Sequence, residues 1–181
     1  MAGLLNATQG SAAPTNASAD SLKDPILQKI ERGIEAKVPP EMKKDYLAVV
    51  VAGMRIMYSE ETAHLIDDQL KSSTDIVKNV SEGIAKLIGM ISNESKGSMS
   101  QPAAALASIS LMAQALDYAE RKYGTTITPE IAAACTKATA TAVLGVFNIG
   151  QDQVDQQIAK GRSGAPQEQA QPSQPQTQAG M

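Results

Sequence analysis

The chain has 181 residues, a formal net charge of −3, one Cys, one Phe and no Trp. Its Lys and Arg residues form no basic stripe, which argues against direct nucleic-acid binding, and the N-terminus lacks the basic and apolar regions of a secretory signal peptide. The single cysteine, Cys135, excludes an intrachain disulfide and suits a reducing compartment. Apolar content that comes from Ala, Ile, Leu, Val and Met favours closely packed helices.

Both ends of the chain have the composition of flexible tails. Residues 1–21 are small, polar and without periodicity, and residues 161–181 are rich in Gln, Pro and Gly. Neither segment can bury enough apolar surface to offset the entropy lost on ordering. We therefore expect a flexible N-terminal tail, a helical bundle domain over residues 22–160 and a disordered C-terminal tail. Each tail is either solvated or becomes ordered on a partner.

Start and stop signals divide the first part of the domain into helices. Asp24 followed by Pro25 predicts an N-cap and a first helical residue, and Pro39 predicts the end of that helix. A second apolar stripe follows. It is interrupted by Ser59, which can end one helix or cap another. Residues 40–72 are therefore predicted to form either one long helix or two shorter ones.

The clearest amphipathic helix is predicted over residues 74–95. Apolar side chains recur there at spacings of three and four, which makes a seam of about two heptads. This seam is a candidate face for helix packing or for assembly between subunits. It consists of Val77, Val80, Ile84, Leu87 and Ile91.

Two Ala-rich helices are predicted in the remainder of the domain. Pro102 opens the first, and Gly124 is suited to the C′ position that ends it. Thr128 caps the second, which is predicted to run to about Lys160. Its small apolar face, a second candidate packing or assembly face, consists of Ile131, Cys135, Ala138, Ala142, Val146 and Ile149. Because strand signals are absent, the predicted fold class is all-α: a bundle of five or six amphipathic helices with flexible N- and C-terminal tails.

The last helix contains a long uncharged stretch that resembles part of a membrane span. Lys137 and Asp152 limit this stretch to residues 138–151, whereas a spanning helix needs roughly 20 apolar residues. Thr141 and Asn148 continue a polar stripe on the same side of the helix as Lys137. We therefore expect an amphipathic helix that could contact a membrane but does not form a constitutive span.

The sequence predicts no catalytic residue, no metal site and no cofactor. Glu61 and His64 have the spacing of a di-iron motif, but that site needs a second such motif and the chain has one His. Cys135 lies on an apolar face with no signature of a nucleophile around it. An enzyme with a small-molecule substrate is therefore not expected.

In its organisation, the chain resembles the small virion proteins of tailed bacteriophages, including the internal or ejection proteins of short-tailed phages. The likeness rests on the start MAGLLNATQGSAA, on the Ala-rich helices over 102–123 and 128–160, and on the tail QEQAQPSQPQTQAGM. The resemblance depends on the composition of these segments and on their arrangement along the whole chain. It implies no functional residue.

The resemblance implies a non-enzymatic virion structural protein that is made in the bacterial host cytoplasm. Its partners would be copies of itself and other virion proteins, and it could be delivered into the host with the DNA. Two other interpretations stay open. One is a helical adaptor or chaperone that binds a single protein partner. The other is a membrane-active protein whose helices open at a bilayer.

Overall fold

The computed structural model describes residues 19–96 and 98–149, and these residues form an all-α bundle of six α-helices without strands. The predicted fold class is therefore confirmed. Residue contacts divide the chain after Ile149, so every described residue belongs to one compact unit. The helices are α1 Pro25–Glu35, α2 Lys43–Tyr58, α3 Ala63–Lys71, α4 Ile76–Glu94, α5 Gln101–Tyr123 and α6 Pro129–Val146.

Side-chain caps start four of the six helices. Asp24 accepts a hydrogen bond from the backbone N–H of Ile26 at 2.6 Å, and Pro25 is the first residue of α1, as the sequence predicts. Thr128 caps α6 in the same manner. The cap of α4 is Asp75, one residue after the predicted start, and α5 is capped by a serine. These caps satisfy backbone donors that would otherwise lack a partner.

Residues 40–72 form two α-helices. A short 3₁₀ turn, Pro40–Met42, precedes α2, which ends where Ser59 takes an extended conformation. The turn that follows is held by Thr62, whose hydroxyl donates to the carbonyl of Ile56. The chain thereby changes direction, and α3 can pack against α4.

α5 is the central helix of the bundle. It contacts α1, α2, α4 and α6, and nearly every residue from Ala103 to Ala119 is buried. A helix that is covered on all sides needs no polar face, which explains why residues 101–116 of α5 carry no charge. Gly53 lets α2 approach α5 closely, because a Cβ atom there would lie 2.6 Å from the methyl groups of Leu111.

The N-terminal end of the described chain is packed against the last turns of α5. Ala19–Ser21, at the end of the tail predicted over 1–21, form a 3₁₀ turn in which Ala19 is buried. The backbone N–H of Lys23 donates to Asp117 at 2.7 Å, and Asp117 also forms an ion pair with Arg121 at 2.7 Å. The rest of the predicted N-terminal tail lies outside the described residues.

α6 ends at Val146 and not near Lys160. Asn148 takes a left-handed conformation with φ 54°, its N–H donates to the carbonyl of Gly145, and the N–H of Ile149 donates to Leu144. This pattern is the Schellman motif, in which Asn can replace the usual glycine. Residues 150–181, which include the predicted C-terminal tail, lie outside the described residues.

Candidate functional site

The predicted face of α4 lies in the core of the bundle. Four of its five residues are buried and Val77 is half-buried. α4 packs most extensively against α6, so the two helices that carry the predicted faces meet within the subunit. The buried residues are Val80, Ile84, Leu87 and Ile91.

The predicted face of α6 lies at the edge of the stripe that this helix buries. Cys135 is buried, Ile149 lies beyond the end of the helix, and the other predicted residues, Ile131, Ala138, Ala142 and Val146, are half-buried. The buried stripe consists of Ala132, Cys135, Thr139 and Val143. The predicted face did not include Ala132, Thr139 or Val143, and Thr139 is buried although its side chain carries a hydroxyl group. A role of either face in contacts between subunits stays a prediction.

The thiol of Cys135 is buried and has the properties of a core side chain. Burial, and to a smaller extent the negative charge of Asp75, raise the pKa of this thiol to about 11. At neutral pH the group is therefore a thiol and not the nucleophilic thiolate. His64 lies on a different helix, where it is exposed.

Glu61 and His64 do not share a helix face. Glu61 lies in the turn before α3, which begins at Ala63, so the two side chains lack the helical spacing that a bundle metal site needs. Among the described residues, no group of three or more His, Cys, Asp or Glu side chains could hold a metal ion.

Asp67, on α3, is the centre of a polar cluster. The hydroxyls of Tyr118 and Tyr123 donate to its Oδ1 at 2.7 and 2.5 Å, and Lys122 Nζ lies 2.5 Å from Oδ2. The Lys122 ammonium and the two hydroxyls hold the pKa of the Asp67 carboxyl well below its usual range. Lys71 also lies 5.3 Å from the ring centre of Tyr123. This Asp67 cluster ties α3 to the end of α5.

A buried carboxyl group lies between α1, α2 and α5. Glu31 has no exposed surface, Tyr46 Oη lies 3.4 Å from its Oε1, and Tyr46 shares a 2.7 Å hydrogen bond with Ser110. Glu31 Oε2 has no hydrogen-bond partner among the described residues. Burial raises the pKa of Glu31 to about 7, only partly offset by the hydroxyl of Ser110.

An apolar groove of about 380 Å³ lies between α3 and α4. Its position is fixed by Asn79, whose side chain donates to the carbonyls of Leu70 and Ser73 at 2.9 and 2.8 Å. Lys86 Nζ donates to Gln69 Oε1 at 2.7 Å and so joins the two helices. The apolar lining of this α3–α4 groove includes Met57, Leu65, Ile66, Ile84, Leu87 and Met90.

A second surface, with two exposed apolar side chains between two cations, runs along the outside of α2. Lys43, Leu47, Val51 and Arg55 recur every four residues on one side of the helix, and all four are exposed. We call this surface the α2 stripe. The spacing of these four residues is visible in the sequence. Because α2 has apolar residues on its other sides as well, the sequence alone does not indicate which side is exposed to solvent.

The fold and its surfaces define a class of protein: an all-α bundle with a buried central helix, an apolar groove and an exposed apolar stripe. Comparison of the chain with protein-family models, curated proteins and solved structures finds no match. Within residues 19–96 and 98–149, no helix has both the length and the apolar content needed to cross a membrane.

Proposed function

We propose that the protein is non-enzymatic and acts by helix-mediated self-assembly. The observation that carries this proposal is the exposure of large apolar side chains on two surfaces of an otherwise well-buried bundle. Clusters of such side chains on a folded domain mark contact sites for other proteins. The groups with strongly shifted pKa values have structural positions, since Glu31 is enclosed in the core and Asp67 joins two helices.

We propose further that the assembly is part of a tailed-bacteriophage virion and that the protein is an internal or ejection protein. This finer statement rests on the organisation of the sequence, with its Ala-rich helices and Gln- and Pro-rich end. The core supports it in one respect. α5 buries many Ala and Ser side chains, and small side chains remove less apolar area from water per residue. A domain of this kind needs less work to unfold for passage through a narrow channel.

Two measurements test the proposal. Sedimentation velocity of the purified full chain over a wide concentration range should detect species larger than the monomer. Mass spectrometry of purified phage particles should detect the protein in several copies per particle. A chain that stays monomeric at every concentration, also when virion extract is added, would contradict self-assembly. Absence from the particles would contradict only the virion assignment.

A second candidate function is that of an adaptor or chaperone with one protein partner. The α3–α4 groove favours it, because a preformed apolar groove is the usual receptor for one face of an amphipathic helix. Affinity purification distinguishes the two functions. An adaptor should recover one different protein in a fixed ratio, whereas a self-assembling protein should recover copies of its own chain.

A further inference from the structure

Exposed apolar side chains are concentrated on the two surfaces described above. Leu47 and Val51 of the α2 stripe are 46% and 43% exposed, and Leu65 and Met90 at the rim of the α3–α4 groove are 44% and 41% exposed. The other large apolar side chain of comparable exposure, Tyr123 at 38%, already bonds Asp67 through its hydroxyl. The stripe and the groove are therefore the surfaces that lack an occupant within the described residues.

The α2 stripe cannot occupy the groove of its own chain. Ile56, which lines the groove, is five residues after Val51, and five residues correspond to about 140° around a helix axis. The stripe and the groove thus lie on different sides of the same rigid helix. An occupant with the character of the stripe has to come from another molecule.

The shape of the stripe suits a groove of this kind. Leu47 and Val51 are four residues apart, so their side chains lie one above the other on the helix surface. Helices that dock in grooves use apolar anchors at this spacing. Since α2 is already folded, docking costs little additional conformational entropy.

The flanks of the stripe are basic. Lys43 and Arg55 continue it at either end, Lys44 lies beside Leu47, and all three cations are exposed. Two exposed carboxylates lie near this end of α2: Asp45 is about 160° around the helix axis from Leu47, and Glu41 lies in the 3₁₀ turn before the helix. The three cations on this side of α2 outnumber them. A partner surface with exposed carboxylates would therefore be attracted to this side of α2.

The groove has such carboxylates at its edge. Asp68 is among its lining residues, and Glu60 and Glu61 lie in the turn next to Thr62, which also lines it. All three acidic side chains are exposed. Lys86 lies at the groove as well, but its ammonium is bonded to Gln69. The edge of the groove at the start of α3 is thus complementary in charge to the stripe.

We propose that the α2 stripe of one copy of the protein binds in the α3–α4 groove of a second copy. This inference rests on the proposed self-assembly and identifies the two surfaces that perform it. Because the two surfaces differ, a head-to-tail contact is heterologous and joins the copies into a ring or a filament. If the two copies are related by a two-fold axis, each stripe meets the other groove and the result is a closed pair.

Cross-linking between copies tests the contact directly. In a Cys135→Ala background, one tagged chain carries Leu47→Cys and a differently tagged chain carries Met90→Cys. A short bismaleimide should link the two cysteines and so give a product that carries both tags. This product should form faster than the product of a control pair. The control pair replaces Met90→Cys with Lys137→Cys, which is exposed on α6. Far-UV circular dichroism establishes that every variant is folded.

Charge reversal provides a second test. A chain with Lys44→Glu and Arg55→Glu, and a chain with Glu60→Lys and Glu61→Lys, should each self-associate at least about tenfold more weakly than the wild type. Mixing the two variants should restore association, since the acidic stripe of the first variant then matches the basic groove edge of the second, and the unchanged stripe of the second matches the unchanged groove edge of the first. Raising the salt concentration should weaken the wild-type contact.

The outcomes separate this inference from the function on which it rests. If the wild type forms oligomers, but the Leu47–Met90 pair links no faster than the control pair and the mixed charge variants gain nothing, the contact is overturned and self-assembly stands. A wild type that is monomeric at all concentrations and salt levels overturns both. Preferential linking together with restored association supports the inference.

Discussion

At the scale of single residues, the most unusual group is the buried carboxyl of Glu31. A carboxylate without exposed surface and with one oxygen unpaired is destabilised relative to the protonated acid, which is why its pKa is raised to about 7 from 4.5. The folded chain therefore keeps a proton that the unfolded chain has already lost between these two values. The stability that this group contributes is complete below pH 4.5 and is lost as the pH rises through 7.

We expect Glu31→Gln to remove most of this pH dependence. The amide has no charge to desolvate, so at pH 8 the variant should exceed the wild type in free energy of unfolding by up to about 3 kcal/mol, given about 1.4 kcal/mol per unit of pKa. At pH 4.5 the two proteins should be nearly equal. Urea unfolding at both pH values measures the difference. Glu94→Gln, an exposed position, should keep the wild-type pH profile, and a Glu31→Gln profile that also matched the wild type would contradict the assignment.

Two glycines in helices should respond to alanine in opposite directions. Gly53→Ala places a Cβ atom 2.6 Å from the methyl groups of Leu111, and we expect a loss of about 1–3 kcal/mol from the strain between α2 and α5. Gly33→Ala meets nothing within 4 Å, and it should gain about 0.5–1 kcal/mol because alanine favours the helix. Thermal unfolding of both variants distinguishes close packing from helix propensity. Similar effects at the two positions would argue against the close approach of the helices.

At the scale of helices, local chemistry made most boundaries predictable. Asp24 and Thr128 cap helices through their own side chains, and Gly124 ends α5 with φ 68°, a left-handed conformation that glycine takes readily. The end of α6 was missed because Asn148 takes the same conformation without the signal that a glycine gives. Thr139 was missed because a hydroxyl counts as polar in a helical pattern, although this side chain is fully buried.

We expect Thr128→Ala to destabilise the protein by about 1 kcal/mol. Its hydroxyl oxygen accepts a hydrogen bond from the N–H of Ile131 at 3.3 Å, and alanine leaves that donor without its cap. Thr126, exposed in the same loop, provides the matched control, since Thr126→Ala should change the free energy of unfolding by less than about 0.5 kcal/mol. Chemical denaturation measures both. An equal effect of the two substitutions would show that the cap contributes nothing.

At the scale of the whole molecule, the sequence did not reveal which helices meet. Periodicity indicates which side of a helix is apolar, but it carries no information about the element that covers it. Asp67 lies 55 residues before Lys122 in the chain, and only the fold brings them together. The α3–α4 groove was missed for the same reason, because its lining comes from four helices. The sequence thus predicted features within single helices well, but it did not predict the contacts between helices.

The Asp67 cluster should keep α3 in place at one wall of the groove. We expect Asp67→Ala to accelerate hydrogen exchange of the backbone amides of α3, because the bonds from Tyr118, Tyr123 and Lys122 are lost. The amides of α6 should be unaffected. Asp68→Ala removes a neighbouring exposed carboxylate outside this cluster and should leave α3 protected. Equal protection of α3 in Asp67→Ala and in the wild type would contradict a clamping role.

The central position of α5 also determines the consequence of partial unfolding of the bundle. Since α5 contacts four other helices, the departure of any one of them exposes apolar side chains of α5. Partly unfolded molecules are therefore prone to aggregation, because their exposed apolar side chains bind to each other or to other apolar surfaces. Aggregation is least when unfolding is cooperative, because partly unfolded molecules are then rarely populated. Selection against aggregation would then favour a cooperative bundle over one in which single helices detach.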